Sequence, residues 1–167
     1  ILSNDTNKRK IAIFYDPARS SDNSVMLICE LREDEEKGYM LDVINCISFV
    51  DIGLRKKTPM RYQEQIKEIH DILINYNGDA LDYDGGGNSW VGDSLMEDWA
   101  DKSGRIHRGL IDKDYSEEYV RRFPNAINKL RLLNPSAWKS EAYESLIKMI
   151  EADLITFPVE YDNKGYI

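Results

Sequence analysis

The chain has 167 residues, of which 42% are hydrophobic and 31% charged, with a formal net charge of −8. This length suits one domain (residues 1–167) with a real core, and the composition excludes a disordered chain. No apolar run approaches membrane-spanning length, and the acidic balance taken alone argues against nucleic-acid binding, which needs Lys and Arg on phosphates. Clustered carboxylates that hold divalent cations also lower the charge count while serving phosphate chemistry. The opening "ILSNDTNKRK" has no initiator Met and no signal-peptide core, so the chain is expected to be an excerpt of a larger protein. Cys29 and Cys46 both lie in apolar stretches and are expected to be buried free thiols, which favours a reducing compartment.

Lys10 to Tyr15, "KIAIFY", predicts a short buried strand, and the turn "DPARSSDN" follows. Ser24 to Leu31 predicts a second strand, "REDEEKG" a charged hairpin tip, and Tyr39 to Asp51 a third, longer strand. Three strands with short links suggest an antiparallel meander. The period then changes. Tyr62, Ile66, Ile69, Leu73 and Tyr76 recur at helical spacing, with Thr58 and Pro59 as a start and Gly78 as a stop. His70, inside this helix, is expected at the surface or its boundary. "DALDY" predicts a fourth strand that ends on Asp84. "DGGGNSWVGDSLMEDW" follows, its second half helical with Val91, Leu95 and Trp99 on one face. The stretch from Ala100 to Pro124 is less regular. A fifth strand is expected near Ala126 to Leu133. A helix is expected from about Ser136 to Asp153, capped by Ser136, with Trp138, Tyr143, Leu146, Ile147 and Ile150 as its apolar face. "LITFPVEY" predicts a short strand or an extended tail.

The fold class implied is α/β, a mixed sheet of a three-strand meander plus parallel strands, flanked by helices. A fourth strand reached through a helix returns parallel to one already present. If it lies beside the first strand, their C-terminal ends meet, and Asp16 and Asp84 share one sheet edge. Pro17 biases Asp16 towards extended backbone and cannot continue the ladder. The carboxylate then sits where α/β sheets commonly bind ligands, although an Asp before Pro also simply initiates turns. Asp84 precedes Gly85 to Gly87 and a helix. Such glycines allow close approach to a phosphate or metal, or form a plain strand-to-helix loop. Asp82 shares the face of Asp84 as a supporting or surface group. Asp22 is read as a turn residue. His107, between Arg105 and Arg108 in "RIHR", is the better placed histidine for a DNA-facing loop. CxxC, HExxH, GxSxG and Walker A patterns do not occur, so nucleophilic Ser or Cys catalysis has no support.

The stretches "IAIFYDPARSSDNSV", "TPMRYQEQIKEI", "LDYDGGGNSWVGDSL" and "INKLRLLNPSAWKSEAYESLIKMIEADLITFP" resemble the C-terminal nuclease domain of viral (tailed bacteriophage) terminase large subunits. The resemblance covers nearly the whole chain. It implies a ribonuclease-H-like fold and a metal-dependent endonuclease that cuts concatemeric viral DNA during genome packaging. Asp16 and Asp84 map onto the family's metal-binding, catalytic acids at the ends of the first and fourth strands. Two Mg²⁺ or Mn²⁺ ions, about 3.5–4 Å apart, are implied for phosphodiester hydrolysis. Asp16 would bridge both and Asp84 would hold one. The family's third acid has no matching pattern here, and Asp162 is the only late candidate. The resemblance also implies double-stranded DNA as substrate, an ATPase domain N-terminal to this chain, and the small subunit and portal as partners of the full-length protein. It implies action in the host cell cytoplasm, with no membrane. Two alternatives stand beside it: an actin-like ATPase fragment, suggested by "DYDGGG", and a non-catalytic ribonuclease-H-like module that holds a partner.

Overall fold

The computed structural model describes residues 9–18, 23–51, 58–59, 61–84 and 89–158. Three strands, β1 (Arg9–Asp16), β2 (Val25–Asp34) and β3 (Gly38–Ser48), form the expected antiparallel meander. On the other side of β1, β4 (Ala80–Asp84) and β5 (Leu130–Leu133) add in parallel, and β6 (Ile155–Thr156) pairs in parallel with β3. The result is a six-stranded mixed sheet in the order β5-β4-β1-β2-β3-β6. Among the described residues four α-helices accompany it: α1 (Tyr62–Asn75), α2 (Ser89–Met96), α3 (Glu117–Arg122) and α4 (Lys139–Glu151). Among the described residues no helix is long and apolar enough to cross a membrane.

Strand alternation decides which side chains enter the core. Ile11, Ile13 and Tyr15 of β1 share a face with Met26 and Ile28 of β2 and with Leu81 and Tyr83 of β4. These are buried together with Ile69 and Ile72 of α1 and Val91, Leu95 and Met96 of α2. Strand β4 is buried along nearly its whole length, as a strand with parallel neighbours on both sides should be.

Several boundaries depart from the sequence expectation. Helix α1 starts at Tyr62, because Thr58–Pro59 pairs antiparallel with Val50–Asp51 and Arg61 is still extended. Its stop combines two residues. Asn77 takes the left-handed turn at φ 49°, while Gly78 supplies space, since a Cβ there would lie 3.0 Å from Ile13 Cδ1. Helix α4 starts at Lys139 after a 3₁₀ turn over Pro135–Ala137. Ser136 does not cap it, because its hydroxyl donates to Asn134 Oδ1 at 2.6 Å. The apolar stripe of α4 is not buried, and Tyr143 and Ile147 are 57% and 54% exposed. The fifth strand is split into Ile127–Asn128, which pairs with Leu110–Ile111, and β5. Helix α3 lies in the stretch expected to be irregular. Its signal is polar: Ser116 Oγ accepts from Glu118 N, with acids in the first turn and arginines in the last. Cys29 is buried and Cys46 half-buried, both free thiols.

Both histidines sit elsewhere than expected. His70 is 3% exposed, on the stripe of α1 that also buries Gln65, Ile69 and Ile72. Its ring stacks on Trp99, with centroids 4.1 Å apart, and His107 stacks on the same indole at 4.5 Å. Trp99 therefore belongs not to the face of α2 but to a short hairpin in which it pairs with His107. His107 Nε2 lies 2.8 Å from Asp101 Oδ2, so this histidine is held by its own turn and is not displayed on a loop.

Two stability predictions follow from this packing. A Cβ on Gly109 would meet the Met96 carbonyl oxygen at 1.9 Å. Gly109→Ala should therefore cost at least about 2 kcal/mol in urea denaturation. Burial lowers the His70 pKa from 6.5 to about 4, with His107 adding to the shift and Asp71 opposing it. The unfolded chain then binds the extra proton first. The associated stability is complete above pH 6.5 and is lost as pH falls towards 4, by about 3 kcal/mol. His70→Phe should flatten that part of the stability–pH curve.

Candidate functional site

Strands β1 and β4 run in parallel with Ala12 opposite Ala80 and Tyr15 opposite Tyr83. One step further along both lie Asp16 and Asp84, the last residue of each strand. Alternation puts both carboxylates on the face opposite Tyr15 and Tyr83. The structure thus brings together the two acids picked out in the sequence. Asp16 is exposed and Asp84 half-buried. Their proximity is visible electrostatically. The Asp16 pKa is raised, first by partial burial and then by the charge of Asp84. Two like charges held at adjacent strand ends are unfavourable, and a cation between them would relieve the repulsion.

The aromatic layer under this edge is tightly built. Tyr15 and Tyr83 stack with centroids 5.9 Å apart, and Phe49 meets Tyr15 edge-on at 5.8 Å. Burial pushes the Tyr83 phenol up to about 12, with help from the negative charge of Asp84. Burial also raises Tyr15, the largest influence on that group. Burial keeps both phenols protonated near neutral pH, and their stacked rings lie beneath the strand ends.

Asp82 is 6% exposed, which removes the surface reading for it. It lies across the sheet from Phe14 on one side and Arg131 on the other. Burial raises its pKa, Arg131 lowers it, and Asp112 raises it. Asp112 is committed elsewhere, since Oδ2 accepts from Leu132 N at 2.9 Å and Oδ1 from Asp114 N at 3.1 Å. Gly85 to Gly87, Asp22 and Asp162 lie outside the described residues. Among the described residues, no group of three or more His, Cys, Asp or Glu side chains is arranged to hold a metal ion. Two carboxylates at one edge are hard oxygen donors, suited in kind to Mg²⁺ or Mn²⁺.

Three residues with no distinguishing pattern in the sequence build the support of this edge: Tyr62, which has the spacing of an ordinary apolar position of α1, Ser24 and Gln65. Ser24 and Gln65 are 1% and 2% exposed, and both bond to groups next to Asp16. The available signal was chemical: Gln65 falls on the apolar stripe of a helix, and Ser24 opens an apolar strand.

Asp84→Asn removes the repulsion felt by Asp16. In the presence of a chelator at pH 7 it should raise Tm, measured by circular dichroism, and bring the Asp16 pKa down. A lower Tm would mean that the Asp84 charge is held by favourable partners that outweigh Asp16. No family model, no curated protein and no solved structure matches this chain.

Proposed function

We propose that this chain is a ribonuclease-H-like endonuclease domain of the viral terminase large-subunit kind, dependent on Mg²⁺ or Mn²⁺ and acting on double-stranded DNA. The observation that carries the reading is the placement of Asp16 and Asp84 as the last residues of adjacent parallel strands, one step past the Tyr15–Tyr83 pair. The strand order supports the fold assignment. An antiparallel meander is extended by two parallel strands beside its first member, with helices packed on the sheet.

In this reading Asp16 and Asp84 provide the oxygen ligands, and the strand ends fix their separation before any ion arrives. When bound, the cations supply Lewis acidity and a water of lowered pKa. The protein contributes geometry and charge more than acid–base groups, since the phenols nearest the edge are held protonated by burial. Cutting of concatemeric genomes, cooperation with a small subunit and portal, and a place in the host cytoplasm follow from the same reading. A second reading, a non-catalytic module that holds a partner, is favoured by one observation: no three-ligand group occurs among the described residues.

Nicking of supercoiled plasmid with Mn²⁺ separates the two. The nuclease reading expects cutting that a chelator stops, and Asp16→Asn and Asp84→Asn should each reduce it to the plasmid-alone background. Equal cutting by wild type and both variants would remove these residues from the chemistry. No cutting by wild type would favour the partner-binding module.

A further inference from the structure

The backbone just past Asp16 is held from two other elements. Ala18 N–H donates to Ser24 Oγ at 3.0 Å. The Ala18 carbonyl accepts from the hydroxyl of Tyr62, the first residue of α1. Both main-chain polar groups of Ala18 are therefore bonded to side chains, one from Ser24 at the far end of the turn and one from Tyr62, remote in sequence. On the other side of Asp16, the Tyr15 hydroxyl donates to Gln65 Oε1 at 2.6 Å and is hydrogen-bonded by Ser24 as well. Ser24 and Gln65 are almost fully buried, and Pro17 is buried between the two anchor points. Asp16 is thus suspended between two fixed neighbours, with its own side chain exposed.

Such bracing has a functional meaning. A carboxylate that must be ordered when a cation arrives loses affinity to that ordering, whereas a pre-set one does not. The bracing groups do not reach the ligand position themselves, since they act on residues 15 and 18. They also come from places that the core already fixes: the first turn of α1 and the residue just before β2, whose carbonyl accepts from Phe49 N.

We propose that Tyr62 and Ser24 are positioning residues for the Asp16 carboxylate, holding the end of β1 in the arrangement that receives a divalent cation together with Asp84. The inference rests on the reading of Asp16 and Asp84 as cation ligands. Tyr62 would then be needed for its hydroxyl and not only for its ring, which a purely structural role would not require.

The test is Mn²⁺ affinity, read by electron paramagnetic resonance of the free ion against the full chain, with no turnover needed. Tyr62→Phe and Ser24→Ala should each weaken binding about 10-fold, the usual cost of losing a group that orients a ligand. Ile28→Val, a core change in β2 away from the turn, should lower Tm without changing the affinity. Asp16→Asn should abolish tight binding. If Tyr62→Phe and Ser24→Ala bind as wild type while Asp16→Asn does not, the positioning role is overturned and the ligand assignment stands. If wild type binds no Mn²⁺, the ligand assignment fails and the positioning role fails with it. Should Ser24→Ala not fold, Tyr62→Phe decides alone, since it removes one oxygen and keeps the ring.

Discussion

The parallel pairing of β1 with β4 is the constraint on which the rest of the molecule depends. It sets Tyr15 against Tyr83 on the core face and leaves Asp16 and Asp84 together at the strand ends. The two consequences oppose each other energetically. Adjacent carboxylates repel, while stacked, buried aromatics contribute about 0.5–1.5 kcal/mol beyond their area. The aromatic layer can thus carry an electrostatic arrangement that would not form by itself. Helix α1 makes this pairing possible, because it carries the chain from the meander back to the starting edge of the sheet, so that β4 runs in the direction of β1.

Once tyrosine occupies position 15, the polar network around it is close to obligatory. A buried hydroxyl without a partner costs about 1–3 kcal/mol. Gln65 and Ser24 are the side chains that meet it, and Ser24 then has an acceptor left for Ala18 N–H. The same bonds satisfy the core and fix the turn. Stability and site geometry are therefore carried by the same few atoms.

Much of the sheet was legible in the sequence because period-2 and period-3.6 patterns report which faces are buried. The meander, α1 and β4 followed from those patterns, and the crossover rule made β4 parallel to a strand already present. Its place beside β1, and with it the adjacency of Asp16 and Asp84, stood only as a condition in the sequence and is supplied by the structure. What escaped were features with no periodic signal. Helix α3 is six residues long and buries none of them. His70 entered the core through a stack on Trp99, a contact between α1 and a hairpin distant in sequence. Tyr62 has the spacing of an ordinary apolar position, and only the location of Ala18 reveals what its hydroxyl does. In α4 the periodicity was correct and burial did not follow from it.

The alternation of side chains along β1 and β4 has an evolutionary corollary. Because each step along a strand reverses the face, a single-residue insertion or deletion inside either strand would carry its terminal carboxylate to the tyrosine side of the sheet. Two residues would restore the face but move the acid along the edge, out of line with its partner. Length variation between distant descendants of such a chain should therefore concentrate outside these two strands, for example at the charged tip between β2 and β3. The spacing within "KIAIFYD" and "ALDYD" would behave as a fixed unit of inheritance.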